Sequence, residues 1–152
     1  MRIAIHKGGG RHRLVCTRDD GTTTQAETGP GLPAHDLAHY VAERALGLRQ
    51  GFFGNVAGGR TIAELGDPAV IPTLPPEAWT AETLARALGA TATGACRVDQ
   101  LPALVRAELG EAALPQLTDA LAQTLVDDFA TRLAQWRALA DGDTLTLDWP
   151  QT

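Results

Sequence analysis

The stretch Gly29-Pro30-Gly31-Leu32-Pro33-Ala34-His35-Asp36-Leu37-Ala38-His39-Tyr40-Val41 decides the fold, because the hydrophobic period changes across it from that of strands to that of a helix. Upstream, Ile3 and Ile5 alternate with Arg2, Ala4 and His6, and Leu14 and Cys16 share one face of a second segment. Gly8-Gly9-Gly10 and Asp20-Gly21 supply turns, the latter a strong hairpin signal. Thr22 to Thr28 completes a β-meander as an edge strand with few apolar residues. Gly29-Pro30-Gly31 then breaks the sheet. Pro33 opens a helix at a position where its missing N–H costs nothing, and Gly47 ends that helix after Leu46.

Beyond it, Gln50 to Gly59 is glycine-rich but carries Phe52, Phe53 and Val56, which suits a short buried helix or tight corner. Thr61-Ile62-Ala63-Glu64 has the pattern of a capping box. Four prolines between 67 and 80 mark an irregular connection. A helix is expected from Thr80 to Leu88, another from Asp99 to Gly110, and the longest from Leu114 to Ala140. The long helix repeats Leu117, Leu121, Leu125, Phe129, Leu133 and Trp136 every three or four positions. Leu145, Leu147 and Trp149 alternate in a last strand that joins the N-terminal sheet. The expected fold is a single α+β domain over residues 1–152, with a mainly antiparallel sheet and helices on one face.

Composition narrows the class of function. In 152 residues the hydrophobic fraction is 44% and the charged fraction 20%, the balance of a globular protein with its own core. A net charge of −5 disfavours a general nucleic-acid binder. The basic residues Arg2, Lys7, Arg11, Arg13 and Arg18 gather in the first hairpin, as a solvated sheet face or a docking surface for an acidic partner. No apolar run has the length of a membrane span, and the chain begins directly as a strand with no signal-peptide pattern. Cys16 and Cys96 lack ligand spacing and read as reduced thiols of a cytoplasmic protein.

The chemistry-bearing feature is His35-Asp36-Leu37-Ala38-His39. Imidazoles four residues apart lie one above the other on a helix, so both can reach one metal ion. The spacing is that of the HExxH zinc helix with Asp in place of Glu. Glu43 extends the row by another four residues. With no histidine after His39, a remote third ligand must be a carboxylate such as Glu64 or Asp67, although Glu64 already has a role opposite Thr61. A wheel centred on Leu37 puts His35, Asp36, His39 and Glu43 on the polar face, a metal site or a solvent-facing surface.

The candidate set is therefore His35, His39, Glu43 and Glu64 as ligands of a divalent metal such as zinc, with Asp36 as base or orienting group. Against it, Asp36 is one methylene shorter than the Glu of zinc peptidases, and the positive start of the helix disfavours a cation. The competing reading is a hydrogen-bonded structural cluster in which Asp36 fixes an imidazole tautomer. An anion site formed by the helix start, His35 and a hairpin arginine lacks a phosphate-cradling loop. His6 and His12 flank the first turn and are expected to face water. The chain has no serine, which excludes a serine nucleophile.

Residues 33–65, from Pro-Ala-His-Asp-Leu-Ala-His-Tyr-Val-Ala-Glu through Gly-Phe-Phe-Gly to Thr-Ile-Ala-Glu-Leu, resemble a family of small bacterial proteins in which a basic hairpin precedes such a helix. The resemblance implies no activity, since the group has none assigned. On base rate the sequence favours a non-enzymatic protein that binds a protein partner or forms a homo-oligomer through the long helix or a sheet edge. The alternative is a metal-binding protein or metal-dependent hydrolase.

Overall fold

The computed structural model describes residues 1–111 and 113–150. Strands β1 (Arg2–His6), β2 (His12–Thr17), β3 (Thr23–Thr28) and β4 (Thr144–Asp148) form one antiparallel sheet in the order β3-β2-β1-β4. Its register explains the alternation in the sequence. Ile3 faces Cys16 on one side and Leu147 on the other, and Ile5 likewise faces Leu14 and Leu145. Side chains of one strand face alternate sides of the sheet, so these rows form one apolar surface. Arg2, Arg13, Gln25 and Thr146 lie on the exposed face.

Among the described residues six α-helices follow β3: α1 (Leu32–Leu46), α2 (Phe52–Ala57), α3 (Ile62–Leu65), α4 (Pro76–Ala92), α5 (Leu101–Leu109) and α6 (Asp119–Ala138). The first begins and ends where Pro33 and Gly47 predict, with Gly47 in the left-handed conformation at φ 66°. It is the central helix, packed against α4 and α6, and every residue from Asp36 to Glu43 is buried. Tyr40 fastens it to the sheet by donating its hydroxyl to the Asp148 carbonyl at 3.0 Å. Thr61 and Glu64 form the expected capping box at the start of α3.

Two helices differ from expectation. Helix α4 starts at Pro76 instead of Thr80, because Pro75 holds extended backbone and Pro76 occupies the first turn, where proline suits a helix. It also runs through Gly89 to Ala92, and the left-handed Gly94 lies just beyond. Helix α6 starts after Thr118, whose hydroxyl caps the Leu121 N–H, and not at Leu114. Leu114 has φ 51° and Pro115 follows it, so the chain turns before the helix can begin. Leu117 is still fully buried, but from the preceding turn. The apolar stripe of α6 (Leu125, Phe129, Leu133 and Trp136) lies in the chain's own core.

Two of the basic hairpin residues bind carbonyls near helix ends instead of facing only solvent. Lys7 donates to the carbonyls of Trp136, Arg137 and Leu139 at the end of α6 (3.1, 3.2 and 2.7 Å). Arg18 donates to Val56 in α2 and to Arg60 beyond it (2.7 and 2.6 Å). Cations are favourable there because the last carbonyls lack helical partners. His12 does not face water: it is buried edge-on against Trp136 at 5.0 Å. No helix among the described residues is long and apolar enough to cross a membrane.

The cysteines have different surroundings. Burial, reinforced by the Asp36 charge, pushes the Cys16 thiol up to about 12, with Arg18 acting in the opposite direction. Cys96 is partly exposed. Iodoacetamide at pH 8 is therefore expected to alkylate Cys96 and spare Cys16, as read by peptide mass spectrometry. Equal labelling of both in the folded protein would contradict the packing of β2.

Candidate metal centre

The imidazoles of α1 converge, and a residue from α4 meets them. His35 Nε2 and His39 Nε2 are 3.2 Å apart, and Glu82 Oε2 lies 3.2 Å from the first and 3.1 Å from the second. Arg86, one turn further along α4, approaches the other oxygen of Glu82 at 3.6 Å. His39 is buried, while His35 and Glu82 are about one-third exposed, at 33% and 36% of their side chains.

Glu43 stands behind His39 and fixes its orientation. It is fully buried, and its Oε1 lies 3.1 Å from His39 Nδ1. The same carboxylate accepts the Phe52 N–H at 2.7 Å and the Gly54 N–H at 3.1 Å. Helix α2 begins at Gly51, which has no side chain to cap it, so Glu43 caps it from a different helix. Gly51 is required there, because a Cβ would overlap the Glu43 carboxylate. Through Glu43, the glycine-rich corner and the histidine helix form one unit. With Nδ1–H given to Glu43, His39 turns Nε2 to the cluster, where loss of the Nε2 proton frees a lone pair for a metal.

Ionisation follows this geometry. Burial opposes a charge on His39, but hydrogen bonds with Glu43 and Glu82 and the charges of both outweigh it and raise its pKa to about 9. Glu82 is held well below the usual carboxylate range, chiefly by its hydrogen bonds with His35 and His39.

Of the residues singled out in the sequence, His35 and His39 come together as expected. Glu43 acts on the far nitrogen of His39 instead of joining the cluster. Glu64 is exposed and bonded to Thr61 through both its backbone N–H and its hydroxyl. The convergent carboxylate is Glu82, which sequence reasoning missed. Asp36 does not fix a tautomer, since it makes no hydrogen bond among the described residues; Glu43 has that role. The polar face of α1 is not a solvent-facing surface, because Asp36, His39 and Glu43 are all buried.

Asp36 Oδ2 is buried without a partner. Burial raises its pKa to about 6, with the charges of His39 and His35 acting the other way. The folded pKa lies above the unfolded one, so the contribution of Asp36 to stability is greatest below about pH 4 and is lost as Asp36 ionises through pH 6. Asp36→Asn is expected to stabilise the metal-free protein at pH 8 by on the order of 2–3 kcal/mol, an advantage that vanishes near pH 4. Urea titrations at the two pH values test this, and a variant less stable than the parent at pH 8 would contradict it.

Beside the cluster is an open cavity of about 410 Å³. His39 and Glu82 form part of its wall, together with Phe52, Leu74 and Trp79. No protein-family model, curated protein or solved structure matches the chain, so the functional reading rests on this geometry.

Proposed function

We propose that the protein binds one divalent transition-metal ion through His35 Nε2, His39 Nε2 and Glu82, and that the remaining coordination positions open on the cavity. The observation carrying this reading is the near-equilateral triangle of donor atoms, with edges of 3.1–3.2 Å. Ligands about 2.0–2.1 Å from a metal are about 3.3–3.4 Å apart in tetrahedral geometry and about 2.8–3.0 Å apart in octahedral geometry. The observed edges lie between these values. Hydrogen bonds alone serve the triangle less well, because two ring N–H groups aimed at one oxygen bring like donors together. A metal satisfies all three edges at once.

Two imidazoles and one carboxylate are the donor set of open, reactive zinc centres and of some iron centres, not of closed structural zinc sites. In such a centre the metal polarises a bound oxygen or lowers the pKa of a bound water. The chain's part is to hold the ligands, with Glu43 orienting His39. Asp36 remains the carboxylate nearest in sequence for proton transfer. It does not line the cavity, so the proposal extends to metal binding and not to hydrolysis.

The partner or homo-oligomer reading rests on the long helix or a sheet edge; the α6 stripe is packed inside the chain, which leaves the edge strands β3 and β4 to carry it. Free cysteines fit a reducing cytoplasm. The test is zinc titration of the metal-free protein. One equivalent is expected to bind, and zinc at a hundred times Kd to raise the melting temperature by roughly 5–10 °C. In His35→Ala/His39→Ala the shift disappears. No uptake by the parent protein would remove the proposal.

A further inference from the structure

The cavity beside the cluster points to the chemistry of its occupant, an inference that rests on the metal-centre reading. Its wall is formed mostly by apolar side chains, among them Phe52, Leu65, Ile71, Leu74 and Trp79. Ile71 and Trp79 are more than half exposed, at 51% and 53%, so much apolar surface there is left to water. Apart from His39 and Glu82, Asn55 supplies the polar side chain of the wall, and its amide nitrogen already donates to the Gln50 and Gly51 carbonyls at 2.6 and 2.7 Å.

Among the described residues, no lysine or arginine lines the cavity. Arg86, whose guanidinium lies 5.2 Å from the Trp79 ring centroid, is shared between Glu82 and Glu108. Charge then restricts the ligand. Within the coordination sphere, a dication held by one carboxylate and two neutral imidazoles retains a single positive charge. Glu43 is outside that sphere, behind His39, with the Phe52 and Gly54 amides donating to it. A monoanionic ligand neutralises the sphere. A dianion would leave a charge among apolar side chains with no cation to meet it, and an ammonium would be repelled.

We infer that the site takes a small apolar monocarboxylate, with its carboxylate on the open positions of the metal and its hydrocarbon body against Phe52, Leu74 and Trp79. At about 410 Å³ the cavity is within the size range of small-molecule sites.

Calorimetric titration of the zinc-loaded full chain with octanoate tests the inference, with octylammonium and octanedioate as length-matched probes. Octanoate is expected to bind once per zinc, at least tenfold more tightly than either probe and at least tenfold more tightly than to zinc-free protein. Trp79→Ala, at a half-exposed position, is expected to keep its zinc and weaken octanoate about tenfold. Zinc uptake without octanoate binding overturns the inference and leaves the metal centre standing. Equal octanoate binding with and without zinc, or equal binding of the three probes, also overturns it. Failure to take up zinc removes both.

Discussion

Glu43→Ala is expected to destabilise the metal-free protein by about 3–5 kcal/mol, a large part of the stability of a domain this size. The truncation leaves the Phe52 N–H, the Gly54 N–H and His39 Nδ1 without the fully buried carboxylate that accepts from them. Each stranded buried group costs about 1–3 kcal/mol. Gly51→Ala approaches the same contact from the other side, since its new methyl displaces the Glu43 carboxylate. Glu43→Gln, which keeps the shape and one acceptor oxygen, is expected to lose less. Urea denaturation of the three variants supplies the measurement, and a loss below about 1 kcal/mol for Glu43→Ala would contradict its capping role.

The second large effect concerns the metal. Glu82→Gln is expected to weaken zinc binding by more than a hundredfold, since it removes the only anionic ligand, and His39→Ala by at least as much. Glu43→Gln is expected to cost about 10- to 100-fold, the usual effect of disturbing the group that orients a ligating histidine. Glu64→Gln should leave zinc affinity unchanged, because that carboxylate belongs to the Thr61 capping box. Competition with a chromophoric chelator gives all four values. Loss of affinity in Glu64→Gln with retention in Glu82→Gln would reverse the assignment.

The parts of the fold legible in the sequence are those governed by neighbours along the chain. Alternation at Ile3, Ile5, Leu14 and Cys16 marks the sheet, Pro33 and Gly47 bound α1, and Thr61 with Glu64 starts α3. The four prolines between 67 and 80 point to an irregular connection, yet Pro76 stands in the first turn of α4, where the rule that applies to Pro33 applies equally. The apolar repeat of α6 extends back to Leu114, while Pro115 stops the backbone from following it.

The site divides in the same way. His35 and His39 are paired by helix geometry alone, so their spacing shows them. Glu82 is paired with them by the packing of α1 on α4, and nothing within α4 distinguishes it from a surface glutamate beside Arg86. The burial of Glu43 was equally hidden. A wheel shows which face of a helix is polar, but not that the glycine corner at Gly51 and Gly54 will close over that face and satisfy it with backbone amides.

Anomalous diffraction at the zinc edge, from crystals of the zinc-loaded protein, tests the central claim most directly. One strong peak is expected about 2.0–2.2 Å from His35 Nε2, His39 Nε2 and a Glu82 oxygen, with its open side toward the cavity. A peak on other residues, or a cluster that stays hydrogen-bonded with no peak between its three donors, would contradict the account.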